Sequence, residues 1–165
     1  MAAPLSDYRI TVDVATQTLQ VERRGDIVFS TPIATASNGV GEHNGSECTP
    51  RGWHVIRAKI GGGCVANTVF RGRRATGEIY TPALRQQLPE RDWILTRILW
   101  LSGLEPGFNR LHKVDTLRRY IYIHGCPDED VMGVPSSHGC IKMHNAELIA
   151  LFDLVPVGTR VLITG

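Results

Sequence analysis

The chain has 165 residues, 42% of them hydrophobic and 21% charged, with a formal net charge of +2. That make-up describes one folded domain spanning 1–165 rather than a disordered or fibrous chain, and at this length roughly 68–70% of the unfolded surface is buried without help from a metal or disulfide staple. So small a charge gives no reason to expect a nucleic-acid partner, and no run approaches the ~18 apolar residues of a membrane span, so no membrane partner is expected either.

The first residues, MAAPLSD, hold neither a basic segment nor a long apolar one. A cytoplasmic address is therefore expected, or a periplasmic one had a leader been removed. The four cysteines, Cys48, Cys64, Cys126 and Cys140, form no CxxC pair and are expected as free thiols.

In chain order, residues 8–21 (YRITVDVATQTLQV) alternate apolar and polar positions around a break at 15–18, which predicts two half-buried strands and a turn. A third strand is expected over 27–36, and the Gly-, Asn- and Ser-rich stretch 37–52 reads as a long loop. Residues 53–60 (WHVIRAKI) alternate again, closed by Gly61-Gly62-Gly63. Two helices are expected next. Thr81-Pro82 supplies a cap and a first-turn proline, and Asp92 precedes WILTRILWL with apolar residues at 94, 95, 98, 99 and 101, making Trp93 and Trp100 helix-packing residues. Residues 102–113 form a loop and a candidate lid, and 118–125 (RRYIYIHG) a strand with Tyr120, Tyr122 and His124 on one face and Ile121 and Ile123 in the core. Asn145 is placed as the cap of a last helix with Leu148, Leu151, Phe152 and Val155 on its buried stripe, before a final strand over 160–164. The fold class is thus mainly β with helical additions, α+β.

Chemistry concentrates in 123–143, IHGCPDEDVMGVPSSHGCIKM. A thiol attacks as its thiolate, and a neighbouring imidazole can take its proton, so cysteine beside histidine is the minimum for acyl transfer. The same residues permit a different chemistry. His124, Cys126, His138 and Cys140 form two His-x-Cys pairs, a legitimate tetrahedral zinc set, although structural zinc sites space their ligands differently. A binding module without catalysis is disfavoured because both Cys140 and His124 are present.

The segment resembles the signature of the L,D-transpeptidase catalytic domain, the YkuD-type family. Its His-Gly step and its Gly-x-Pro-x-Ser-His-Gly-Cys run, followed by Ile, a basic residue, Met and Asn, fall here on His124-Gly125, Gly133, Pro135, Ser137-His138-Gly139-Cys140, Ile141, Lys142, Met143 and Asn145. The opening strands and the turn Thr49-Pro50-Arg51-Gly52 resemble the family's N-terminal half. Two positions depart: Cys126 stands where threonine is usual and Lys142 where arginine is.

The resemblance implies a β-sandwich or barrel-like catalytic domain that acts without a cofactor. It implies Cys140 as nucleophile, His124 as base and the Gly125 carbonyl as the group orienting the imidazole. Backbone N–H groups around Gly139 and Cys140 would form the oxyanion hole, with Ser137 and His138 shaping the turn. The implied substrate is a peptidoglycan tetrapeptide or muropeptide, cleaved between diaminopimelate and D-alanine. Water as acceptor makes an L,D-carboxypeptidase of murein recycling, which the missing leader favours; an amine makes an L,D-transpeptidase. Arg110, Lys113 and Lys142 are the candidate carboxylate binders, and Tyr122, sharing His124's face, a further substrate contact. The second thiol near the site raises the expectation that oxidation joins Cys126 to Cys140.

Overall fold

The alternation at the start of the chain becomes a hairpin: β1 (Tyr8–Asp13) pairs antiparallel with β2 (Thr18–Arg23), and β2 with β3 (Asp26–Pro32). Ile10, Val12, Leu19 and Val21 turn inward and lose all solvent contact, each contributing about 1.5–3 kcal/mol of burial. The computed structural model describes residues 6–165, and 1–5, on which much of the leader reading rests, lie outside the described residues.

Regular pairing of the third strand ends at Pro32, short of the expected residue 36, but Ala34 and Ala36 go on to make single bridges to Lys142 and Ser137. That continuation brings the N-terminal sheet to the Ser-His-Gly-Cys segment. β4 (Gly52–Ile60), β5 (Thr68–Arg71) and β6 (Arg74–Ile79) follow the long loop, and α1 (Pro82–Gln87) starts as expected, with Thr81 accepting from the Leu84 N–H.

The expected helix after Asp92 is instead β7 (Ile94–Gly103). β4 and β5 pair with successive stretches of one edge, while β8 (Tyr122–Gly125) takes the other. Leu95, Ile98, Leu99 and Leu101 are all buried, because a central strand covered on both faces reads as a continuous apolar run, and such a run carries no period that separates it from a buried helix. The strand expected over 118–125 shortens to β8, since residues before Tyr122 are used in turns.

β9 (Ile141–Met143) runs parallel to β8, with Ile123 opposite Ile141. α2 (Asn145–Leu154) buries Leu148, Leu151 and Phe152 against the sheet, and β10 (Arg160–Thr164) returns parallel to β1. Asn145 lies inside the first turn rather than capping it. Its amide donates to the Cys126 carbonyl, Asn67 Oδ1 and Asp128 Oδ1, and its oxygen accepts from Thr96.

The result is an α+β fold dominated by a ten-stranded, mostly antiparallel sheet ordered β3-β2-β1-β10-β4-β7-β5-β6, with β8 and β9 branching from β7. None of the described helices is long and apolar enough to cross a membrane.

Candidate active site

Parallel pairing of β8 with β9 sets the site. With Ile123 opposite Ile141, Cys140 comes beside Tyr122, whose backbone N–H donates to Cys140 Sγ at 3.3 Å. The thiol also lies 3.5 Å from the Tyr120 carbonyl. Strand alternation then carries Tyr122 and His124 to one side, where both line a cleft of about 550 Å³ with Cys140, Ser137 and His138. Ile121 and Ile123 point into the core, as their positions predict.

His124 is 1% exposed, and its Nδ1 lies 2.7 Å from the Gly125 carbonyl. With Nδ1 donating there, Nε2 is left as the basic nitrogen. Burial holds the imidazole pKa below its ordinary value; the Gly125 hydrogen bond and Asp92 oppose this and Lys142 adds to it. Although Cys140 keeps some surface open to the cleft, burial pushes its thiol up to about 12, against the Tyr122 N–H, Arg119 and Lys142. The resting pair is therefore a neutral thiol and a neutral imidazole. A nucleophilic role for this thiol would need a base to remove its proton as the new bond forms, since a standing thiolate is not provided.

The turn before Cys140 is tied from within. Ser137 Oγ donates to the Cys140 carbonyl at 2.5 Å and accepts from the Gly139 N–H at 3.2 Å. The Gly139 N–H is thus turned onto Ser137 and is not a free oxyanion donor, a correction to the expected pair. Gly139 sits at φ +131°, and a Cβ there would lie 3.1 Å from Ile121 Cδ1 and 3.3 Å from the Cys48 carbonyl, which explains why glycine occupies it. Thr49 Oγ1 donates to the Gly139 carbonyl at 3.0 Å, so the loop 37–52 braces the turn.

The candidate carboxylate binders fare differently. Lys142 lines a neighbouring hollow of about 250 Å³ shared with Asp92 and His138, and its Nζ is 3.8 Å from Asp130. Arg110 and Lys113 are exposed and line neither the cleft nor that hollow. The candidate lid is pinned rather than poised: buried Asn109 accepts from the Glu105 N–H and donates to the Arg51 and Trp53 carbonyls.

Two arginines that the sequence marks only as ordinary surface charge line the cleft instead, Arg73 and Arg119. Arg119 donates to the carbonyls of Gly41, Glu42 and Cys48 and to Ser46 Oγ, fastening the loop 37–52. Trp100, in β7 rather than a helix, lies under the Arg73 guanidinium at 4.5 Å; Trp93 packs edge-on against Tyr80. In the sequence both arginines belong to short basic clusters, Arg71, Arg73 and Arg74 in one and Arg118 and Arg119 in the other, and nothing there sets them apart from solvated charge.

Cys126 does not line the cleft. It is fully buried, its thiol donates to the Met143 carbonyl, and burial pushes it up to about 12. The structure therefore does not bring it to Cys140 for oxidation. The zinc set is not assembled either: among the described residues no three His, Cys, Asp or Glu side chains are grouped to hold a metal.

The L,D-transpeptidase catalytic domain model, YkuD, matches residues 7–163, and the chain belongs to that family. A Bacillus subtilis protein bearing the name L,D-transpeptidase YqjB is 57% identical over 42 residues, 26% of this chain and 24% of that protein. An Escherichia coli protein named L,D-transpeptidase ErfK/SrfK is 31% identical over 116 residues, 70% of this chain and 32% of that one. Among solved structures, an L,D-transpeptidase from Mycobacterium smegmatis superposes with a TM-score of 0.57 at 17% identity, covering 97% of this chain and 59% of that chain. One from Xylanimonas cellulosilytica gives 0.56 at 19%, covering 99% and 63%. These likenesses show the shared fold, and the matched part is less than two thirds of each relative's own length.

Proposed function

We propose that the chain is a cysteine acyl-transfer enzyme acting on peptidoglycan stem peptides, with L,D-transpeptidation as its reaction. The observation that carries this reading is that His124, held by the Gly125 carbonyl on β8, and Cys140, the residue just before the parallel strand β9, line one cleft. Cys140 Sγ attacks the carbonyl at the L-centre of the third stem residue, diaminopimelate, while His124 Nε2 takes the thiol proton. The tetrahedral intermediate collapses as His124 returns that proton to the leaving nitrogen, D-alanine departs, and a thioester remains on Cys140. The amine of a second stem then attacks the thioester, giving up a proton to His124, and the thiol is restored.

The Gly125 carbonyl fixes the imidazole tautomer, the orienting part of what an aspartate does in a serine triad, without that carboxylate's charge. With the Gly139 N–H engaged, the Cys140 N–H is the proposed oxyanion donor. Transfer is preferred to the hydrolysis expected from the sequence because that expectation rested on the residues preceding β1 and on no feature of the site. The relatives' names point to transfer.

The test is incubation with a disaccharide tetrapeptide, with and without an amine acceptor, followed by intact-protein and product mass analysis. A Cys140-bound tripeptide adduct and an amine-exchanged or cross-linked product are expected, and Cys140→Ala should show neither. Tripeptide as sole product, acceptor present, would replace transfer by hydrolysis; absence of any adduct would sink the acyl-enzyme.

A further inference from the structure

Among the described residues lining the cleft, one guanidinium keeps most of its donors without a protein acceptor. Arg119 spends its donors on loop carbonyls and a hydroxyl, and Lys142 faces Asp130 in the adjoining hollow. Arg73 has a different setting. Its Nη1 donates to the Tyr122 hydroxyl at 3.0 Å, and its guanidinium lies 4.5 Å from the Trp100 ring centre and 5.0 Å from that of Tyr120. Among the described residues no carboxylate pairs with it, so most of its five N–H donors have no protein acceptor.

The backbone at Arg73 points the same way. Arg71 pairs with Arg74, so Gly72 and Arg73 form a two-residue hairpin loop, and both have positive φ, +55° and +63°. Such a turn favours glycine, asparagine or aspartate at its central positions, because longer side chains are strained at positive φ. An arginine at the second position works against the turn, and its guanidinium is delivered onto an aromatic wall of the cleft that contains Cys140. Stacking fixes the guanidinium plane in advance and leaves its fork for a planar anion, which a carboxylate matches with two parallel hydrogen bonds.

We infer that Arg73 recognises a carboxylate of the acyl-donor peptide and so sets the specificity of the cleft for an anionic stem. This rests on the peptide reading of the site given above. The two carboxylates flanking the scissile bond are the candidates, the C-terminal one and the side-chain one of the third residue, and the fork suits either.

The test uses equilibrium binding to the full chain carrying Cys140→Ser, which cannot form the thioester. Three peptides are compared by calorimetry: the free acid, its C-terminal amide and its side-chain amide. With Arg73 present, the free acid should bind about tenfold tighter than one of the two amides, and that amide identifies the carboxylate. Adding Arg73→Gly should abolish the preference while leaving thermal stability intact, since glycine relaxes the turn; Arg73→Lys should restore part of it. A merely structural role would lower stability and weaken all three peptides alike. Absence of a preference with Arg73 present, or its persistence in Arg73→Gly, overturns the inference. Turnover by the unmodified chain is measured in parallel. Turnover without acid preference removes the Arg73 role alone, whereas acid preference without turnover supports Arg73 and removes the acyl-transfer reading alone.

Discussion

At the scale of single residues, the pairing of a thiol pushed up to about 12 with an imidazole held below its ordinary range fixes how the site responds to pH. His124 must be neutral to accept a proton, and with its pKa lowered it stays neutral as pH falls past the usual histidine value of about 6.5. The acid limb of kcat/KM is therefore expected below 6.5, and no alkaline limb from the thiol is expected before pH 9. In His124→Gln the proton must leave to solvent, so the rate should follow the thiolate fraction and rise about tenfold per pH unit through pH 7–9. A flat profile in that variant would show that His124 is not the base. Cys126, just as strongly perturbed, has no such partner and is buried in the core, so its perturbation reports burial first, with Asp130 and Asp128 adding to it, and not a catalytic role.

At the scale of elements, Cys140, the proposed nucleophile, is positioned by segments far away in sequence. The loop 37–52 contributes Thr49 to the Gly139 carbonyl, and Arg119, just before β8, fastens that loop through three carbonyls and a hydroxyl. Removing the guanidinium strands those acceptors beside a half-buried gap. Arg119→Ala is expected to cost about 1–3 kcal/mol in urea denaturation and to open the loop to limited proteolysis between residues 41 and 48. Lower kcat with unchanged loop protection would mean that Arg119 acts on substrate and not on the loop. β7 plays the corresponding part for His124. Its register slips between Leu95 and Ile98, where Thr96 is held at φ +76° by hydrogen bonds to Asn67 and Asn145, beside the His124-Gly125 step. Strain of this kind persists only where its surroundings over-determine it.

At the scale of the whole molecule, His54 ties the sheet to the segment that precedes β8. It is fully buried in β4, with Nδ1 3.0 Å from the Gly52 carbonyl and Nε2 3.0 Å from Thr116 Oγ1. Burial lowers its pKa to about 4, with Gly52 opposing. The unfolded chain, with histidine near 6.5, then binds more protons than the folded one between pH 6.5 and 4. Stability is complete above 6.5 and declines as pH falls through that window, by roughly 3 kcal/mol from His54. Buried His124 adds a slope of the same sign. Urea denaturation at pH 7, 5.5 and 4 should show the decline, and His54→Gln should reduce its steepness even though the variant starts from lower stability. An unchanged slope would place the acid sensitivity elsewhere.

Much of this molecule was legible in local sequence. Alternation marked β1, β2 and β4, a turn marked the start of β10 and a 3.6-residue stripe marked α2, because short-range spacing carries that information directly, while the roles of Cys140, His124 and the Gly125 carbonyl were implied by the resemblance of the 123–143 segment to the family signature. Tertiary structure alone decided β7, whose two buried faces erase the period that would have marked it as a strand. It alone also decided which charges reach the cleft. Arg110 and Arg73 are the same residue type in similar loops, and only the hairpin geometry of β5 and β6 and the stacking on Trp100 and Tyr120 turn one of them toward Cys140. A side chain's charge is written in the sequence, but the surface it faces depends on contacts between segments that the chain brings together only on folding.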